Sequence, residues 1–138
     1  MITTDKNYVG PWLAKELDMV WTSENSTTIG WIEESELVAG VWYEDYNGKS
    51  VTCHIVLKKP INRKFLAIIF DYPFIQLGVS KIIGPVKSDN VKAIEFDKKL
   101  GFKEEARILD AFPSADLIFF VMNKDKCRFL GERYGKIL

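Results

Sequence analysis

His54 is the only histidine of the chain, and an imidazole titrates near neutrality, as suits a general base. It lies in the run "VTCHIVL" at 51–57, whose alternating apolar pattern reads as a strand. Its neighbour Cys53 then points to the opposite face, so the two cannot form a nucleophile–base pair. Glu44 and Asp45, at the end of the preceding run, are reserve bases that could act through a water. Cys53 and Cys127 are the only cysteines and form no CxxC pair. They read as reduced thiols, and with one histidine they offer no set of zinc ligands, so no metal is expected.

A second group gathers positive charge. In "LKKPINRKF", Lys58, Lys59, Arg63 and Lys64 surround Asn62, which can cap a helix. Unpaired N–H groups and the helix dipole favour an anion at such an end, and the cations add charge-assisted contacts. A solvated lysine-rich turn is the plain alternative. The position favours the phosphate reading, because open α/β sheets bind ligands beyond the carboxyl ends of their strands. A third group lies in "SDNVKAIEFDKKLGF" at 88–102. There Asn90, Ala93 or Ile94, and Asp97 share one face of a helix that Gly101 can end.

The elements that must position these groups follow from periodicity and turn chemistry. Val9, Trp12, Leu13, Leu17 and Val20 have helical spacing over 8–20, with Pro11 near the start. Strands 27–33 and 36–44 flank Glu34-Ser35, and Asn47-Gly48 turns the chain into strand 51–57. Helical spacing returns over 62–77, with a kink expected at Pro73, which cannot donate to the Ile69 carbonyl, and a stop at Gly78. "KIIGPV" at 81–86 is a short buried strand in which Pro85 breaks a ladder, either as an edge or because strands 51–57 and 81–86 part toward their carboxyl ends. After the 90–101 helix come a strand from Phe102, a loop "DAFPSAD", the strand "LIFFVM", and a short helix between Asn123 and Gly131. Strands 51–57 and 81–86, joined through a helix, should be parallel neighbours, and the rest antiparallel. The fold class is a mixed α/β sheet: antiparallel strands over 27–57, a parallel step to 81–86, a final antiparallel pair, and helices on both faces.

The bulk properties bound the function. A chain of 138 residues, 47% hydrophobic and 28% charged, suits one domain spanning 1–138 with a real core. A net charge of +0, from 19 basic and 19 acidic residues, argues against a dedicated nucleic-acid binder. No apolar run is long enough for a membrane and no signal peptide opens the chain, so a cytoplasmic protein is expected.

The pattern NxxAxxFDxKLGF at 90–102, the strand, basic loop and helix at 51–77, and the paired final strands resemble the GNAT N-acetyltransferase superfamily from about residue 30 onward. "FDYPFIQLG" at 70–78, "KLGF" at 99–102 and "KCRFL" at 126–130 look closer still to small phage-encoded GNAT-like proteins. The resemblance implies acetyl-CoA as co-substrate, lying in a V between two splayed strands. Its pantetheine arm would pair with backbone near His54, Ile55, Val56 and Leu57. Its pyrophosphate would sit by Lys59, Asn62, Arg63 and Lys64, and Asn90 would bond the cofactor arm or serve only as a helix cap. The family's pyrophosphate loop is usually glycine-rich; "KPINRKFL" has no glycine, so side chains must supply more of the contact.

Many members of the superfamily place a tyrosine general acid seven residues after the asparagine, where this chain has Asp97. Asp97 reads as a solvated carboxylate paired with Lys92 or Lys98. As an ordinary carboxylate, already ionised at neutral pH, it has no proton to give a leaving thiolate. The expected activity is transfer of an acetyl group to an amine of a small molecule or a protein. His54 would be the base, Glu44 or Asp45 its substitute, and one or two of Trp31, Trp42, Tyr43 and Tyr46 would line the acceptor pocket. The competing reading is a GNAT fold without catalysis that binds a host protein, and exposed edge strands allow a homodimer. A nucleic-acid binder using the basic loop is the third reading, marked by steep salt dependence.

Overall fold

The computed structural model describes residues 1–130. The sheet has seven strands: β1 (Ile2–Thr3), β2 (Thr27–Glu33), β3 (Glu36–Glu44), β4 (Ser50–Leu57), β5 (Lys81–Lys87), β6 (Lys103–Phe112) and β7 (Ala115–Asn123). Their spatial order is β1-β2-β3-β4-β5-β7-β6, and only the β4–β5 pair is parallel. Three helices, α1 (Lys6–Leu17), α2 (Arg63–Asp71) and α3 (Val91–Leu100), pack on the sheet. Among the described residues, no helix is long and apolar enough to cross a membrane.

The local chemistry explains most element ends. Glu34 and Ser35 both have positive φ, 50° and 66°, the backbone of a two-residue turn that matches strand twist. Asn47 Oδ1 accepts the N–H groups of Lys49 and Ser50, and Gly48 takes φ 88°, which closes the next turn. Asn62 and Asn90 cap α2 and α3 by accepting the Phe65 and Ala93 N–H groups. Pro73 does not end the helical path. A π-helical turn, Tyr72–Gln76, follows α2, with Leu77 N–H bonded to the Tyr72 carbonyl. The Ile69 carbonyl, which Pro73 cannot reach with a donor, accepts the buried Tyr43 hydroxyl instead at 2.5 Å.

Several expectations are corrected. Residues Ile2–Thr3 add an edge strand to β2 that is too short to show a period. Helix α1 starts on the Asp5 cap and ends at the left-handed Asp18, so Pro11 lies inside it and Val20 lies beyond it, 84% exposed. "DAFPSAD" is mostly strand: β6 runs to Phe112 and returns at Ala115, with a bulge between Ile108 and Phe112. The last short helix is one 3-10 turn, Lys124–Lys126, that Asn123 does not cap with its side chain; its expected end at Gly131 lies outside the described residues.

Two apolar layers sandwich the sheet. Cross-strand partners share a face, so Tyr43, Cys53, Val51, Ile82, Phe120 and Met122 line one side, where they meet Phe65, Ile69 and Phe70 of α2 and Leu100 of α3. On the other side Trp42 packs with Val9, Leu13 and Ala14 of α1. Helices therefore cover both faces, as the hydrophobic pattern implies.

Candidate functional site

The site begins where two strands stop pairing. The β4–β5 ladder consists of Ser50↔Lys81, Val51↔Ile82 and Thr52↔Ile83, and nothing beyond. The remaining halves, Cys53–Leu57 and Gly84–Lys87, diverge toward their carboxyl ends. The reason can be read from the direction of the backbone groups. Ser80 bonds to Lys124 and Ser88 to Asp116, so the even positions of β5 turn their N–H and C=O to β7. Odd positions, Ile83 and Pro85 among them, face β4. Pro85 has no N–H for the Cys53 carbonyl, the next acceptor of a continued ladder, so the rung fails. Of the two readings of Pro85 the edge strand is excluded, because β5 lies between β4 and β7.

The same alternation assigns the free edge of β4. Lys58 N–H bonds to the Val38 carbonyl, so the even positions His54 and Val56 spend their backbone groups on β3. Ile55 and Leu57 turn theirs into the opening. Of the four residues expected to pair with an extended ligand, His54 and Val56 are therefore directed away. The opening leads to the N-terminus of α2. There Asn62 Oδ1 occupies the Phe65 N–H, while the N–H groups at the very start of α2 need partners outside the helix. The basic cluster is less concentrated than its sequence suggests. Lys59 pairs with Glu33 at 3.2 Å and Lys58 pairs with Glu16, both on the surface. Arg63 and Lys64, in the first turn of α2, are the cations set at the helix end.

His54 and Glu44 come together. His54 faces Trp42 across the strands and Glu44 faces Thr52, so the two side chains are diagonal neighbours on the α1 face. His54 Nε2 lies 2.5 Å from Glu44 Oε2. The imidazole is 8% exposed and packs against the Trp42 indole, whereas Glu44 is 24% exposed. Glu44 borders a cavity of about 520 Å³ with Asp45, Lys6, Tyr43, Tyr46 and Tyr72. Of the four aromatics considered for an acceptor pocket, Tyr43 and Tyr46 line it and Trp42 is core. The expected order of roles is thus inverted in space: the carboxylate meets the cavity, and the histidine lies behind it. Cys53 lies on the opposite face, where burial pushes its thiol far up.

Asp97 is not the solvated carboxylate expected. It is 9% exposed, and no ion pair with Lys92 or Lys98 forms. Its Oδ2 lies 4.0 Å from the point where a Cβ on Gly84 would stand, so the missing side chain of Gly84 makes room for it. Burial pushes the carboxyl up from 3.8 to about 7. A surface pattern of alternating lysines hides such a position, and only Gly84 in "KIIGPV" hinted that something approaches that strand.

No family model and no curated protein matches this sequence. Solved structures do. A mutant of the spermidine/spermine N-acetyltransferase SpeG from Vibrio cholerae superposes with a TM-score of 0.74 at 15% identity, covering 91% of this chain and 95% of that one. A chimera of the spermidine N-acetyltransferase SpeG from Vibrio cholerae and hSSAT is similar at TM-score 0.65 and 21% identity, over 79% of this chain and 73% of that one. The N-acetyltransferase PseH from Campylobacter jejuni, solved with acetyl coenzyme A, is similar at 0.64 and 13% identity, over 90% and 99%. Seven strands in this order, parted beside a single parallel step, give the chain the fold of the GNAT N-acetyltransferases.

Proposed function

We propose that this chain is an acetyl-CoA-dependent N-acetyltransferase. The observation that supports it most is the opening between β4 and β5. It exposes the Ile55 and Leu57 N–H and C=O groups along one wall and ends near a helix N-terminus that carries Arg63 and Lys64. An extended amide-bearing arm can pair with that wall as an added strand does. Its phosphates would meet Arg63, Lys64 and the first N–H groups of α2, with Lys59, Asn62 and Asn90 around them. Lys59 would have to exchange Glu33 for phosphate. The Oδ1 atoms of Asn62 and Asn90 serve as caps, so these residues support the site chiefly by shaping it.

The acceptor amine would enter the cavity beside Glu44 and Asp45, whose charge and whose Tyr43, Tyr46 and Tyr72 neighbours suit a cationic amine. Glu44 takes the ammonium proton, directly or through a water, while His54 holds the carboxylate in place. The amine attacks the thioester carbonyl, and an Ile55 or Leu57 N–H donates a hydrogen bond to the developing oxyanion. The same reading places the protein in the cytoplasm, that of the host if its gene is phage-borne, and keeps the acceptor either a small amine or a protein.

Calorimetry with acetyl-CoA and coenzyme A, followed by thiol release with a panel of amines, tests the proposal. Arg63→Glu and Lys64→Glu should each weaken binding at least about tenfold and lower its salt dependence, as loss of a charge-assisted phosphate contact requires. Absence of binding at millimolar ligand refutes the proposal. Binding without release of thiol to any amine favours the alternative, a GNAT fold that holds a partner protein and performs no chemistry.

A further inference from the structure

The cavity beside Glu44 is bordered by charges of both signs. Lys6, in the first turn of α1, lines it together with Glu44, the last residue of β3, and Asp45, which follows. Opposite charges around one small cavity attract, and a four-carbon lysine stem is flexible enough to follow. Among the described residues, however, no ion pair joins Lys6 to either acid. Other groups hold each charge in place. The Lys6 ammonium donates to the Ser23 carbonyl at 2.8 Å and to the Ser26 carbonyl at 3.3 Å. Glu44 is held by His54. Asp45 turns the chain out of β3 with φ 58°, and no described residue forms an ion pair with it.

The two carbonyls fix the lysine without cancelling its charge. An ammonium has three N–H donors, and the carbonyls take two. A staple for the turn before β2 would account for those two bonds alone. One N–H and the positive charge are left over, at the edge of a cavity whose acids are left over too. The cavity, about 520 Å³, has the size of a small-molecule site, and Tyr43, Tyr46 and Tyr72 give it an aromatic wall. An acceptor carrying only positive charge would satisfy the acids and press its remainder on Lys6, where like charge costs affinity. An acceptor carrying both signs meets both. A single charge with one free N–H suits a carboxylate, whereas a dianionic phosphate would ask for more donors.

We propose that the acceptor is a small amine that also carries a carboxylate, as a free amino acid does, with its carboxylate on Lys6 and its ammonium between Glu44 and Asp45. This rests on the acetyl-transfer reading above and names the substrate class of that same site. The transfer is unchanged by it. The nitrogen bonds to the acetyl carbon, its proton passes to Glu44, and the carbon–sulfur bond breaks with its electron pair going to sulfur.

Matched pairs of amines on the full chain decide it. Glycine is compared with methylamine, phenylalanine with phenethylamine, and lysine with cadaverine, each pair differing by the carboxylate. Thiol release from acetyl-CoA gives kcat/KM for each. In at least one pair the amino acid should exceed the plain amine by about tenfold or more, the effect of one charge-assisted hydrogen bond. Lys6→Met keeps the stem and Lys6→Gln keeps a donor for the carbonyls; in both, that ratio should fall toward one. Lys6→Arg keeps the charge and should keep the preference. Ratios that all stay within about threefold of one in wild type, or that favour the plain amines, overturn the proposal. So does a preference that survives in Lys6→Met and Lys6→Gln. In those cases acetyl transfer itself still stands, because some amine is used. If wild type binds no acetyl-CoA, or releases thiol to no amine of the panel, the acetyl-transfer reading fails and takes this proposal with it.

Discussion

Replacing Asp97 by asparagine should change how stability depends on pH, whatever the protein catalyses. In the folded chain burial raises the carboxyl from 3.8 to about 7, while the unfolded chain keeps the ordinary value. Between those limits the folded state holds a proton that the unfolded state has released. Stability therefore falls as pH rises, starting above about 4 and levelling off above about 7. At 1.36 kcal/mol per pKa unit, the two units between pH 5 and 7 correspond to about 2–3 kcal/mol, a large part of a small domain's stability of about 5–15 kcal/mol. Asparagine carries no such proton, and any cost of burying its amide is the same at every pH. The stability of Asp97→Asn minus that of wild type should thus grow by about 2–3 kcal/mol from pH 5 to 7 and change little from 7 to 8. Urea unfolding of both proteins at each pH reads it from the midpoints at a common m-value. A constant difference across the range refutes the burial argument.

The paired carboxylate and imidazole give a second expectation. Glu44→Gln should lower turnover by about 10²–10⁴-fold with acetyl-CoA affinity intact, and His54→Gln, which acts through Glu44, should cost less and shift the acidic limb of the pH profile. Equal turnover in both variants would move the base elsewhere on the cavity wall, with Asp45 next in place. A third expectation concerns the α1 face. A Cβ at Gly10 would collide with the Trp21 ring, so Gly10→Ala must displace the indole that packs on Trp42, and about 1–3 kcal/mol of stability should be lost by thermal unfolding. An unchanged melting temperature would show that Trp21 moves freely.

What the sequence determined by itself was local. Glu34-Ser35, Asn47-Gly48, the Asn62 and Asn90 caps and the strand periods place every long element, because each depends on residues within a few positions of one another. Pro85 belongs there in part: a missing N–H is a property of one residue, but only the place of β5 between β4 and β7 makes it end a ladder and not mark an edge. The fold class followed, with the parallel step and the opening. The site did not follow in the same way. Whether His54 or Glu44 meets the cavity depends on the β3–β4 register and on Trp42 covering the ring, which no single segment specifies. Lys59 looked like part of a phosphate cluster until Glu33, from a strand two places away, paired with it. The two-residue β1 has no period to read; it exists because β2 offers an open edge. Asp97 is the clearest case. Its own helix surrounds it with lysines and argues for solvent, yet it is buried over the space that Gly84 of β5 leaves. Burial is a property of what other segments bring to a residue, and a carboxyl's charge state follows burial more closely than it follows sequence neighbours.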